Sequence, residues 1–269
     1  MLNIYNPNGV VTRDLTILLD ASNPSSYNGP ATPANGAVWH DISGGSAINA
    51  TIQQGGSSTI TWAGTGQAKY FNFTKDTNTP VLTYIATGVP QTYLTFTVVF
   101  RPDLTLNNGT GLTNIISSGM ADNTGYAQGG IRAYNVNGTG PWLLNGNPSH
   151  PQDWNYDSSI VNNNPNPTWY NNNSINYGNG EGPQASGGYA FDSGWNILTV
   201  VRTNPGTTQF PSLFNIILGS GGIYNGSGTG GANFAGDIAY IAGYTRKLTN
   251  AEQIQNFTSL RNRFNPTMI

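Results

Sequence analysis

Apolar and polar side chains alternate with period two in several stretches of the chain. Leu15, Ile17 and Leu19 fall on one face of an extended segment. Leu94, Phe96, Val98 and Phe100 fall on another, separated by Thr95, Thr97 and Val99. Such alternation marks a half-buried strand, because successive side chains leave a strand on opposite sides. The segments 195–201, 213–218 and 238–244 read the same way, and shorter strands are expected at 59–62, 69–73 and 115–118. Clusters of glycine and asparagine separate them.

One helix is expected, at the C-terminal end. Thr249-Asn250-Ala251-Glu252 fits a capping box, in which the threonine oxygen accepts an orphan amide and the glutamate reaches back. Ile254, Phe257, Leu260 and Phe264 then form one apolar stripe. Pro266 ends the helix. The helix is read as a short flap on a β domain.

Composition strengthens the β reading. The 35 glycines and 16 prolines supply turns, and many turns imply many short strands. The 269 residues fit a single large β domain over 1–269. One stretch, about 135–188, breaks the pattern. It is dense in Asn, Pro, Gly and aromatics and reads as an extended loop region with little regular structure. Its tryptophans and tyrosines argue against plain disorder.

Charge is scarce, at 8% of residues with a net charge of −2, so no basic stripe exists to displace counterions from nucleic acid. Weak net charge also gives little repulsion against self-association. The absence of cysteine excludes disulfides, thiolate catalysis and cysteine zinc sites. The N-terminus lacks the basic and apolar regions of a signal peptide, and no apolar run approaches ~20 residues, so neither export nor a membrane span is expected.

The run Asp14-Leu15-Thr16-Ile17-Leu18-Leu19-Asp20-Ala21-Ser22-Asn23-Pro24-Ser25-Ser26-Tyr27 resembles the opening strand of laminin-G-like, concanavalin A-like jelly-roll domains of bacteriophage structural proteins. Val38-Trp39-His40-Asp41-Ile42-Ser43-Gly44 is similar to their following turn, and Phe96-Thr97-Val98-Val99-Phe100-Arg101-Pro102 to their central strand. The run from Phe234 to Glu252 is similar to their closing strands and helix. The resemblance implies an all-β, two-sheet antiparallel jelly-roll sandwich with one short C-terminal helix. The chain departs from the pattern at about 135–188, where it looks expanded, and in having Ser46-Ala47-Ile48-Asn49 where a glycine-asparagine repeat often stands. Members of the family include lectins, adhesive modules, glycan hydrolases and virion proteins, so fold alone does not decide function.

Glycoside hydrolysis needs two carboxylates flanking the bond. The chain has two glutamates, Glu181 and Glu252, the second explained as a helix cap, and no strand carries alternating acids. Asp153, Asp157 and His150 frame an aromatic cluster, but read first as a polar loop capping its own amides. His40 falls in the family-like turn, where packing accounts for it. No serine elbow or phosphate loop is present. No catalytic residues and no metal ligands are therefore assigned. Calcium is a secondary expectation on Met120-Ala121-Asp122-Asn123-Thr124-Gly125, whose single carboxylate gives weak affinity. Asp20, Asp41 and Asp237 are expected to fix strand ends by hydrogen bonding. Asn-x-Ser/Thr triplets at Asn49, Asn72, Asn108, Asn137, Asn172, Asn225 and Asn256 are discounted as chance in an Asn-, Ser- and Thr-rich chain without a secretion signal.

The candidate binding surface is aromatic: Trp142, Trp154, Tyr156, Trp169, Tyr170 and Tyr177. Such side chains bring rigid apolar area with a polar tip. They suit contact with a neighbouring protein, stacking on sugar rings, or internal packing of the long loop. The reading is a non-enzymatic virion protein, a capsid decoration subunit or a head or tail fibre component. Its partners would be other virion proteins, foremost the major capsid protein, with self-association and a host glycan as further partners and neither nucleic acid nor membrane. It would be made in the host cytoplasm and reside in the virion. A glycan-binding lectin for host attachment is the alternative, and a polysaccharide hydrolase the second.

Overall fold

A computed structural model of the chain describes residues 9–45, 48–54, 59–74, 84–87, 93–103, 112–117, 130–135, 142–145, 156–161, 168–170, 194–202, 216–219, 223–224, 227–228 and 234–264. The strands are β1 (Leu15–Asp20), β2 (Val38–Trp39), β3 (Ala50–Gln53), β4 (Ile60–Ala63), β5 (Tyr70–Phe73) and β6 (Tyr84–Thr87). Next come β7 (Thr95–Pro102), β8 (Leu112–Ser117), β9 (Gly130–Asn135), β10 (Trp142–Asn145), β11 (Tyr156–Val161) and β12 (Thr168–Tyr170). The remaining elements are β13 (Asn196–Arg202), β14 (Ile217–Leu218), β15 (Ile223–Tyr224), β16 (Ser227–Gly228), β17 (Gly236–Tyr244) and helix α1 (Asn250–Phe264).

The strands form two large antiparallel sheets. One has eight strands, ordered β12-β11-β13-β7-β17-β5-β4 with β1 also on β17; the other has seven, ordered β10-β9-β8-β14-β6-β3-β2. A separate hairpin pairs β15 with β16. β17 organises the larger sheet. All nine of its residues are buried. One edge runs along β7, while the other serves β5 through Gly236–Ile238 and β1 through Tyr240–Tyr244. The register slips between Ile238 and Tyr240, and at that point the Ala239 carbonyl accepts from Ala21 N–H at 3.0 Å, where the chain leaves β1. β1 and β5 therefore lie end to end along one strand.

Alternation decides which sheet face each side chain joins. Ile17 and Leu19 of β1, Phe71 and Phe73 of β5, and Phe96, Val98 and Phe100 of β7 meet Trp39, Ile52, Ile85 and Leu218 from the other sheet. The intervening positions Leu18, Val99, Ile197, Tyr240 and Ala242 face the opposite way, onto Phe257, Leu260 and Phe264 of α1. The central strands of the larger sheet are thus covered on both sides. Full burial of each large side chain is worth roughly 1.5–3 kcal/mol.

The helix starts as expected. Thr249 N–H donates to Glu252 Oε2 at 2.9 Å, and Thr249 Oγ1 accepts from Glu252 N–H at 3.4 Å. Its buried stripe differs. Phe257, Leu260 and Phe264 are buried with Gln253 and Asn256, while Ile254 is 40% exposed. Successive helical residues turn by about 100°, which carries Ile254 to the edge of a stripe centred on the other three. The strand expectations at 59–62, 69–73, 115–118, 195–201 and 238–244 match β4, β5, β8, β13 and β17 within a few residues. Of 213–218, Ile217 and Leu218 form β14, and 213–215 lie outside the described residues. The loop reading of 135–188 needs correction: it contains β10, β11 and β12, each too short and too interrupted by Asn and Pro to show a period.

Candidate functional site

The helix covers only part of the outer face of the larger sheet. Beyond its last turn a polar and aromatic cluster is assembled from β5, β7, β17 and the start of β13. Strand register builds it: Asp237 on β17 stands opposite Arg101 on β7 and opposite Asn72 on β5. Arg101 Nε donates to Asp237 Oδ2 at 2.7 Å, with a second guanidinium nitrogen 2.5 Å from the same oxygen. Asn72 Nδ2 donates to Asp237 Oδ1 at 2.7 Å. The guanidinium lies 4.9 Å from the Trp195 ring centre and 5.2 Å from that of Tyr70. The two rings meet edge to face at 5.5 Å, and Trp195 rests on Phe264 at 5.2 Å. Cation–π contact and the ion pair together fix the arginine in one pose.

Burial sets the electrostatics. The Asp237 side chain is 6% exposed, whereas that of Arg101 is 37% exposed. Burial pushes the Asp237 carboxyl above its ordinary range; Asn72 and Arg101 pull it back, and Asp103 adds a further upward push. Burial also works against the charged form of Arg101, but Asp237 and Tyr70 outweigh it and the guanidinium is held more firmly protonated. The two partners respond differently because the carboxylate is enclosed and the guanidinium reaches the surface. Asp103 stands two residues beyond Arg101, just past the end of β7. Its amide donates to Ala235 carbonyl at 2.9 Å.

Gly236 permits this close approach. Its φ is +136°, and a Cβ there would stand 2.3 Å from the Arg101 carbonyl oxygen and 2.9 Å from the Asp103 nitrogen. Glycine alone tolerates both the dihedral and the contact.

The other aspartates are structural. Asp41 Oδ1 accepts from Leu18 and Ser43 amides at 2.8 and 2.9 Å, and Oδ2 from Ile48 N–H at 3.1 Å. Asp20 accepts from Ser22 N–H at 2.9 Å and pairs with Arg263. Both match the expectation that they fix strand ends. Asp237 departs from it, since its partners are side chains at a surface cluster. His40 is exposed, and its backbone bonds Ser26.

The six aromatic residues expected as a binding surface are not shown as one patch. Trp142 begins β10, at an edge of the smaller sheet; Trp169 and Tyr170 lie on β12, at an edge of the larger sheet, and Tyr156 on β11. Trp169 and Tyr170 pair with Ile160 and Ser159 in the backbone register. Trp154, Tyr177, His150, Asp153, Glu181 and the 120–125 loop lie outside the described residues, while Asp157 falls on β11. Among the described residues no group of three or more His, Cys, Asp or Glu is placed to hold a metal ion, and no helix is long and apolar enough to cross a membrane.

The sequence reading passed over Arg101, Tyr70, Asn72, Asp103 and Trp195 as site residues. Arg101 and Asp237 are 136 positions apart. Only strand register brings them together. Arg101, the one charged residue of β7, is the available signal.

The chain is thus a mainly β protein of antiparallel sheets with one C-terminal helix. No family model and no curated protein matches it. Solved structures of a sialidase from Trypanosoma rangeli are similar in fold. One has 15% identity and a TM-score of 0.45, covering 95% of this chain and 34% of the sialidase. Another, with 2,3-difluorosialic acid as a covalent intermediate, has 13% identity and a TM-score of 0.49, covering 95% and 35%. The chain spans about a third of the length of the sialidases it matches. These neighbours are sialidases, and neither the expectation of a capsid decoration or fibre protein nor that of a chain without enzymatic activity finds support among them. The phage-type resemblance, the scarce charge and the lack of a catalytic set suggested those expectations. Folding brings Asp237 and Arg101 together on adjoining strands, with Asp103 just past the end of β7.

Proposed function

We propose that the chain is a carbohydrate-directed β-sandwich, of the concanavalin or laminin-G jelly-roll kind over 1–269, and that the Arg101–Asp237 cluster is its saccharide site. The observation that supports this reading is the pinned guanidinium: Arg101 is held by Asp237 and by two rings, yet keeps 37% of its side chain exposed. Sugar recognition uses this combination of aromatic edges for C–H faces and fixed donors and acceptors for hydroxyls. Preorganisation lowers the entropy lost when a flexible polyol docks.

A hydrolytic reading has its own support. Asp103, half-buried just past the end of β7, lies close enough to raise the buried Asp237 carboxyl, so the cluster supplies a carboxyl pair of unlike burial. Glycoside hydrolysis uses two such carboxyls, one as acid and one as base or nucleophile.

A glycan array probed with the parent chain and with Trp195→Ala, followed by a reducing-end assay on the bound polysaccharides, tests both. Specific binding that drops at least tenfold in the variant supports the site. Binding by the parent that Trp195→Ala leaves unchanged moves the site elsewhere, with the β10 and β12 edges carrying Trp142 and Trp169 as the next surface to vary. Reducing ends that appear with the parent and vanish with Asp103→Asn support hydrolysis.

A further inference from the structure

We infer that the sugar this site takes is neutral rather than acidic, an inference that rests on the carbohydrate reading of the Arg101 cluster. An acidic sugar is normally held by a cation whose charge is available to it. Here the guanidinium is committed: it gives Nε and a terminal nitrogen to Asp237, and the rings of Trp195 and Tyr70 flank it. A ligand carboxylate arriving at Arg101 competes with an ion pair whose carboxylate is buried. It also enters the field of Asp103, which already pushes the Asp237 carboxyl upward. Separating Asp237 from its guanidinium leaves a buried carboxylate uncompensated, a loss that a surface contact does not return.

A neutral hydroxyl meets no such penalty. Arg101 lies near the end of β7 and Asp103 follows just past it, one a donor and one an acceptor. A hydroxyl accepts from the first and donates to the second, so a sugar diol suits the pair without disturbing the bond to Asp237. The backbone holds the spacing, since Asp103 N–H is tied to Ala235 and Gly236 packs against Arg101 and Asp103.

The test sets α-1,4- and β-1,4-linked glucose hexasaccharides against an α-1,4-linked galacturonate hexasaccharide, by titration calorimetry on the whole chain. The parent is expected to bind at least one neutral hexasaccharide at least tenfold more tightly than the acidic one. Asp237→Asn releases Arg101 and is expected to narrow that ratio or reverse it, with binding of the acidic sugar weakening as salt rises. Asp103→Asn keeps the Arg101 pair and is expected to weaken the neutral ligand alone; it also serves should Asp237→Asn fail to give a folded near-ultraviolet dichroism spectrum. A parent that prefers the galacturonate hexasaccharide overturns the inference and leaves the carbohydrate site standing. A parent that binds neither these sugars nor any glycan on the array removes both.

Discussion

Arg263, in the last turn of the helix, forms a buried ion pair with Asp20 at the end of β1, its Nη1 lying 2.7 Å from Asp20 Oδ2. The side chains are 3% and 0% exposed, and 243 positions separate them. Arg263 also donates to the Gln67 carbonyl, and Asp20 accepts from the Ser22 amide. Removing one partner strands the other charge away from water. Arg263→Ala is therefore expected to cost about 3–5 kcal/mol in urea unfolding. Replacing both partners with apolar residues of similar volume should cost much less than the single change.

Glu252 offers a pH test. Arg246 grips it at 2.7 and 2.5 Å, the Thr249 amide donates to it at 2.9 Å, and its carboxyl is lowered to about 2. A carboxyl lowered in the folded state stabilises fully above its unfolded value, and that contribution fades as pH falls through the folded value. The pair is partly solvent-screened, so Glu252→Gln is expected to cost only about 1 kcal/mol at neutral pH. Parent and variant should converge between pH 4.5 and 2, measured by denaturant midpoints. A difference that stays constant down to pH 2 would count against the assignment.

Thr97 and Thr199 share a buried hydroxyl–hydroxyl bond of 2.9 Å between β7 and β13. Thr97→Val leaves the Thr199 hydroxyl without that partner and should destabilise by about 1–3 kcal/mol. The double change to valine removes both hydroxyls and should recover most of the loss. A double-mutant cycle reads the coupling, and additive single effects would show that the bond contributes nothing.

Gly236→Ala tests the link between backbone and site. The new methyl meets the Arg101 carbonyl and the Asp103 amide at a dihedral that alanine avoids. The expected outcome is a loss of about 3 kcal/mol or more and a parallel loss of glycan binding. A variant of parental stability and affinity would show that the strand ends relax freely.

The framework was largely legible in the sequence because burial imposes a period. Ile17 and Leu19 face one core, while an irregularity between Leu15 and Ile17 turns Leu15 to the helix side, and β7 with its alternating Phe96, Val98 and Phe100 lies at the centre of the larger sheet. The capping box announced the helix for the same reason: it is local, spanning four residues. The cluster around Asp237 was not legible, because its members come from separate strands and meet only through register. Ile254 was placed in the apolar stripe because hydropathy alone does not locate the centre of a helical face. The strands within 135–188 carry no clear period because three to six residues show too little alternation to count.

β17 hydrogen-bonds β1, β5 and β7, yet it is the last strand among the described residues. During synthesis, three earlier segments therefore emerge from the ribosome long before the segment that joins them. Their unpaired edges must be kept from neighbouring copies until residues 236–244 emerge. Yield in a cell should accordingly respond to chaperone supply and to growth temperature more than equilibrium stability alone suggests.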